Sequence, residues 1–173
     1  MKAGFVVLLI FATAWAVGGM YAAGAQPAFM AIPVGVSAGL LVAARRSFEG
    51  QISTPETARR IRRLVAVWSA VEVVLILVAV NLLARAGKPM LIGPTVCIIV
   101  GLHFIPLARG LPQGVYYATA GAMIAAGAIG AALPAPSGSI FMMFVAALIL
   151  WATALTIMGK AARHASEARS QSG

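Results

Sequence analysis

The chain has 173 residues, of which 61% are hydrophobic and only 10% are charged, and its formal net charge is +9. Soluble domains contain about 25% charged residues, so this composition excludes an ordinary globular protein. The basic residues lie almost entirely between long apolar runs, a distribution that favours orientation signals over a nucleic-acid surface. Backbone groups find no water in hydrocarbon, so continuous apolar runs of about 20 residues are predicted to cross a membrane as α-helices.

The apolar runs predict an all-α protein, a bundle of six transmembrane helices that forms a single membrane domain over residues 1–173. The predicted spans are 4–24, 27–44, 64–84, 90–108, 114–133 and 139–159. Short links rich in proline and glycine join most of them, and 45–63 is predicted to be an aqueous segment. Pro27 aligns with Pro89 in a weak repeat, which leaves open whether the bundle consists of three repeated hairpins or of three unrelated ones.

The distribution of charge predicts the orientation of this bundle. All of the 13 lysines and arginines except Arg85 and Lys88 lie on the side that holds both termini. Because basic residues collect on the cytoplasmic side, both termini are predicted to be cytoplasmic. The first 25 residues also resemble a cleavable signal peptide that ends in Ala23-Gly24-Ala25. The apolar run from Gly4 to Ala23 exceeds the usual signal core of about 7–15 residues, however, so a retained first span is favoured.

Small residues indicate how the helices pack. Helices in lipid associate where small side chains let their backbones approach, because burying leucine gains nothing there. Gly35 and Gly39 form a GxxxG match in the second span, which predicts a packing face. The fifth span contains TAGAMIAAGAIGAAL, which is small on nearly every face, and this helix is predicted to lie centrally.

Two ionisable residues lie inside the spans, Glu72 in the third and His103 in the fourth. A carboxylate at the bilayer centre is costly, since insertion scales give about 2.5–3.5 kcal/mol for aspartate. Glu72 lies nine residues after Arg63 and His103 lies six residues before Arg109. Their depths from the same side are therefore about 13 Å and about 9 Å. A short turn joins the two spans, so the acid and the imidazole are predicted to face each other.

Neighbouring residues extend this candidate proton or ligand site. Trp68 and Ser69 precede the glutamate by four and three residues and are predicted to lie beside it. Pro106 removes a helical hydrogen bond from the carbonyl of Leu102, which predicts a bend and a polar pocket beside the histidine. One hypothesis is therefore a transporter or channel-like protein that couples protons to a small solute or ion. The alternative is a non-transporting scaffold, assembly or lipid-associated subunit, in which the pair is a structural clasp.

No enzymatic activity, cofactor or metal site is expected. The sequence contains no HxxxH or CxxC pattern and shows no nucleophile–base pair. Cys97, the sole cysteine, lies six residues from His103 and therefore about 120° away around a helix. His164 is predicted to lie at a different depth.

The segment before the third span combines a helix start with a basic cluster. Ser53, Thr54, Pro55 and Glu56 favour a helix that begins there and continues into the span. The basic residues that follow are Arg59, Arg60, Arg62 and Arg63. Two interpretations are open for them, contact with anionic lipid head groups or an orientation signal alone.

The middle third of the chain contains VEVVLILVAVNLLARAGKPMLIGP, then GLHFIPLAR, then YYATAG. These stretches resemble small multi-pass bacterial membrane proteins whose function is unassigned. The resemblance implies a bacterial cytoplasmic membrane and no particular activity. Because six short spans enclose little space, a homo-oligomer is a further expectation, with membrane lipid and an unidentified solute or ion as the other partners and no nucleic acid.

Overall fold

The computed structural model describes residues 2–47, 55–111 and 113–170. Within those ranges the chain is almost entirely helical and has no strand. The long helices are α1 (Lys2–Ala22), α2 (Ala31–Ser47), α3 (Pro55–Arg85), α4 (Ile92–Gly110), α5 (Val115–Ala132) and α6 (Ser137–Ser170). All six are long and apolar enough to cross a membrane. The predicted all-α, six-span fold class is confirmed, and the chain is a multi-pass membrane protein.

The turns that follow α1 and α3 are built in the same way. Gly24 and Gly87 end these helices with positive φ angles of 72° and 68°. The amide of the residue after each glycine donates to the carbonyl five residues earlier, at 2.9 Å in both turns. This is the Schellman arrangement, which favours glycine because it needs a left-handed backbone. Short 3-10 turns, Pro27–Met30 and Pro89–Leu91, then lead into α2 and α4. The similarity is confined to these two turns, so the internal repeat of helical hairpins stays a prediction.

Neighbouring helices in the bundle run antiparallel. They pack in the order α3, α4, α5, α6, α1 and α2, with further contacts from α6 to α2 and α4. Phe104 stacks on Tyr116 where α4 ends and α5 begins, with ring centroids 5.6 Å apart. Toward the opposite end of the same interface, Gly127 lies against Pro94. α3 packs chiefly against α4, so it lies at the edge of the bundle.

α5 lies between α4 and α6, as its small-residue composition predicts. Its buried residues are Tyr116, Thr119, Ala120, Met123, Ala126, Gly127 and Gly130. At the α5–α6 turn, Gly130 and Gly138 approach so closely that a Cβ on Gly138 would overlap the carbonyl oxygen of Gly130. Small residues on this helix therefore act by allowing backbone contact on two sides.

The GxxxG match at Gly35 and Gly39 does not pack against another helix of this chain. A Cβ on either glycine would have no atom within 4 Å, and both residues are exposed. α2 instead buries Pro33, Ser37 and Ala44 against its neighbours. Gly35 and Gly39 lie about 200° around the helix from Pro33 and Ser37, respectively, so the GxxxG face points away from the bundle.

α3 is longer than its predicted span because it begins at Pro55 and continues unbroken to Arg85. Its 31 residues extend about 46 Å, whereas the hydrocarbon core is about 30 Å thick. Much of the predicted aqueous segment 45–63 is therefore helical. Ser53 and Thr54, the predicted capping residues, lie outside the described residues.

Candidate functional site

One face of α3 contacts the bundle, and Glu72 lies at its middle. The residues of α3 that are less than fully exposed recur every three or four positions, as expected for a helix with one contact face. They are Ala58, Ile61, Leu64, Val65, Ser69, Glu72, Ile76, Ala79, Val80 and Leu83. Every residue of α3 is described, and Glu72 is the only one that is buried. At one end of this face Leu64 fills the space beside Gly110, where a Cβ would overlap it.

Glu72 and His103 meet across the α3–α4 interface, as their predicted depths require. His103 Nδ1 lies 3.5 Å from Glu72 Oε2. The same nitrogen lies 3.2 Å from the main-chain carbonyl oxygen of Trp68, one turn earlier on α3. Each side chain of the pair is 9% exposed. The structure thus brings together the acid, the imidazole and a backbone acceptor that two antiparallel helices place at one level.

The contacts of His103 determine which ring nitrogen holds a hydrogen. A carbonyl oxygen can only accept, so Nδ1 must be the donor to Trp68. The Glu72 carboxylate oxygen Oε2 lies 3.5 Å from the same nitrogen. Nε2 is then an acceptor in the neutral ring and becomes a donor when the ring is protonated. No residue in the described part of the chain contacts Nε2 through a hydrogen bond or ion pair.

The side chains of the other predicted site residues contribute less to the contact between Glu72 and His103. Trp68 is 37% exposed, and this residue acts through its backbone. Ser69 is half-buried, and no hydrogen bond joins it to a described residue. Leu102 is 48% exposed and faces away from the core. Pro106 lies inside α4, which continues through it to Gly110.

Two clefts in the bundle lie away from His103. One cleft lies along the last turns of α3, between Leu77 and Arg85. The other, of about 400 Å³, lies between the α3–α4 and α5–α6 turns and includes Lys88 and Ser139. Both clefts are at the end of the bundle where α3 ends and α4 begins.

Arg59, Arg60, Arg62 and Arg63, here termed the arginine cluster, are all exposed. They lie on the first turns of α3, and the contact face of that helix lies on its other side. The structure therefore separates the two groups of candidate residues, the pair facing α4 and the arginine cluster facing outward.

A polar cluster that sequence reasoning missed, here termed the Ser37 cluster, joins α1, α2 and α6. The Ser37 hydroxyl lies 2.7 Å from the Thr13 hydroxyl, and it accepts a hydrogen bond of 2.9 Å from the Trp151 indole N–H. It also lies 3.3 Å from the carbonyl oxygen of Leu9. The signal was present, since these three polar side chains stand inside apolar spans, but hydroxyl and indole groups are less conspicuous there than ionisable ones.

Two more polar contacts join α5 to its neighbours. Thr119 and Thr153 place their hydroxyl oxygens 2.7 Å apart between α5 and α6. The Cys97 thiol donates to the carbonyl oxygen of Met123 at 3.3 Å, between α4 and α5. Within the described ranges, no three His, Cys, Asp or Glu side chains come together as a metal site would require.

No protein-family model, curated protein or solved structure matches the chain. The resemblance to small bacterial membrane proteins therefore stays a prediction. Any function must be argued from the geometry of the α3–α4 interface.

Proposed function

We propose that this membrane protein moves a small solute or ion across the bilayer coupled to a proton, and that Glu72 and His103 exchange that proton. The observation that supports the proposal is the 3.5 Å approach of His103 Nδ1 to Glu72 Oε2 within the apolar spans. Ionisable residues are rare inside membranes and mark proton relays and substrate pathways in pumps and transporters.

The two ring nitrogens of His103 allow a directional exchange. A proton that arrives at Nε2 converts the neutral ring to an imidazolium, which faces the Glu72 carboxylate. The ring then releases the Nδ1 proton to Oε2, which leaves a neutral carboxylic acid and a neutral ring with its hydrogen on Nε2. This transfer requires the 3.5 Å contact to shorten to about 2.7–2.9 Å, the length of a charge-assisted hydrogen bond.

The position of α3 provides a way to expose the pair. Because α3 packs chiefly against α4, its displacement would disturb few contacts with the rest of the bundle. Such a displacement would separate Trp68 and Glu72 from His103 and open the interface to water or solute. In this proposal the solute pathway runs along the α3–α4 interface, between the pair and the surface of the bundle.

A structural clasp is the second candidate, and the Ser37 cluster is the observation that favours it. Ser37 fastens the outer helix α2 to α1 and α6 through side-chain hydrogen bonds. Glu72 and His103 would fasten the outer helix α3 to α4 in the same manner. The protein would then be a scaffold, assembly or lipid-associated subunit that transports nothing.

Transport can be tested in liposomes that contain the purified chain and enclose a pH-sensitive dye. A panel of amino acids, sugars, carboxylic acids and organic cations is added outside under an imposed pH gradient. We expect at least one solute to change the internal pH through the wild-type protein. Glu72→Gln and His103→Gln should abolish this response, because neither amide exchanges a proton.

The matched control is Thr153→Val, which removes a buried hydrogen bond between α5 and α6 but no ionisable group. It should retain the response. A wild-type response that survives Glu72→Gln would show that the pair is not the proton site. No response to any solute, together with a large loss of thermal stability in Glu72→Gln, would favour the clasp.

A further inference from the structure

We propose that the arginine cluster binds anionic phospholipid, with the phosphodiester head groups lying against the outer side of α3. Guanidinium groups donate paired N–H bonds that match the geometry of phosphate oxygens. The site is separate from the Glu72–His103 pair and does not depend on the proposed transport. Three structural observations support it.

The first observation is the direction of the side chains. At 100° per residue, the four arginines lie within an arc of about 160°, and the centre of that arc is opposite Ile61 and Val65. Ile61 and Val65 are half-buried on the contact face, whereas the arginines are all exposed. Since α3 packs chiefly against α4, this arc faces the surroundings of the bundle.

The second observation is the depth of the cluster. The unbroken helix places Arg63 directly before Leu64, where the apolar run begins. The four arginines occupy about 6 Å along the axis. This axial length matches the thickness of the head-group layer, which is about 5–8 Å on each side of the hydrocarbon core. The contact between Leu64 and Gly110, at the end of α4, fixes this level relative to the bundle.

The third observation is that the guanidinium groups are uncommitted. None of the four arginines forms an ion pair with a carboxylate in the described part of the chain, including the exposed Glu56 on the same helix. An orientation signal needs only positive charge in a link, whatever its conformation. Here a helix fixes the charges at one depth and on the side away from its neighbours, which is the arrangement that a row of lipid phosphates requires.

The test uses the full chain in detergent and measures lipid binding by native mass spectrometry. Phosphatidylglycerol and phosphatidylcholine with identical acyl chains are titrated against the wild type, Arg59→Gln/Arg63→Gln and a control, Lys160→Gln/Arg163→Gln. The control removes the same charge from exposed positions on α6 at the same end of the bundle. A fluorescent reporter at the C-terminus checks that each variant inserts in the wild-type orientation. Protection of the buried Cys97 from maleimide checks that it folds.

We expect the wild type to prefer phosphatidylglycerol, and Arg59→Gln/Arg63→Gln to weaken its binding by about fivefold for each arginine removed. The control should bind it as the wild type does. Unchanged binding in the arginine variant would overturn the proposal, and so would an equal loss in both variants, which would indicate net charge alone. Glycerophosphoglycerol, the head group without acyl chains, should not compete. Effective competition would indicate a site for a soluble phosphodiester instead of a lipid.

Discussion

Gly127 of α5 lies so close to the backbone of α4 that a Cβ placed on it would be 2.7 Å from the carbonyl oxygen of Pro94. Gly101 of α4 makes the reciprocal approach two turns away, where a Cβ would be 3.0 Å from the carbonyl oxygen of Ala120. Backbone contact at both points leaves no space for a side chain. The α4–α5 interface is therefore a rigid part of the bundle, and it holds His103 in place while α3 lies outside it.

The first prediction concerns the close approach at Gly127. Gly127→Ala should destabilise the protein by about 1–3 kcal/mol, because a backbone oxygen cannot move aside as the end of a side chain can. Gly121→Ala, on the same helix with no atom within 4 Å of its Cβ position, should be neutral or stabilise the protein by up to about 1 kcal/mol. Unfolding by SDS in mixed micelles measures both. Equal stabilities for the two variants would contradict the observed α4–α5 packing.

The second prediction concerns the Ser37 cluster. Ser37→Ala removes the acceptor of the Trp151 N–H and the partner of Thr13, and should lower the free energy of unfolding by about 1–2 kcal/mol. Gly39→Ala, two residues along α2, adds a methyl group where nothing lies within 4 Å, so it should have no such effect. The same SDS titration compares them. A greater loss from Gly39→Ala would mean that α2 packs by its GxxxG face after all.

The contrast on α2 shows where sequence reasoning succeeds and where it fails. Length and hydropathy predict the six helices because hydrocarbon forces each apolar run to satisfy its own backbone. They do not determine which face of a helix meets a neighbour, and the face at Gly35 and Gly39 meets no other helix of this chain. The predicted helix start at Pro55 is confirmed, and the helix continues through the arginines into the third span because a helix can cross the head-group layer. Only the structure shows that Ser37, a modest hydroxyl, is a junction of three helices.

The encounter of Glu72 with His103 was predictable for a different reason. A short turn makes α3 and α4 antiparallel, so counting residues from Arg63 and from Arg109 fixes the level of each side chain. Counting does not show the carbonyl of Trp68 beside the ring, nor where clefts open on the bundle. Those features depend on side-chain rotamers and on how tightly α3 packs, and neither is set by hydropathy.

The third prediction is the state of the His103 ring. Because Nδ1 lies 3.2 Å from a carbonyl oxygen, that nitrogen should hold the hydrogen of the neutral ring in the resting protein, before any transfer to Glu72. Nitrogen-15 NMR of histidine-labelled protein in bilayers can measure this directly. The chain has two histidines, so a spectrum of His103→Gln identifies the remaining signal as His164. In the resting protein, a neutral ring with its hydrogen on Nε2 and a bare Nδ1 would contradict the contact with Trp68, and it would remove the Nδ1 proton that the proposed transfer delivers to Glu72.

The last prediction is that Glu72 and His103 stabilise the fold only weakly. Their 3.5 Å separation exceeds the length of about 2.7–2.9 Å at which charge-assisted hydrogen bonds are strong. Interhelical polar contacts in membranes average about 0.6 kcal/mol and reach about 1.7 kcal/mol. A double-mutant cycle of Glu72→Gln, His103→Gln and the double variant, measured by SDS unfolding, should therefore give a coupling free energy within that range. A clasp that holds α3 in place needs more, since the rest of its contact face is mostly apolar and apolar contacts between helices gain little in lipid. A coupling free energy well above about 1.7 kcal/mol would favour the clasp. Weak coupling would not offset the cost of placing an acid in the membrane, and proton exchange would then be the reason for the acid.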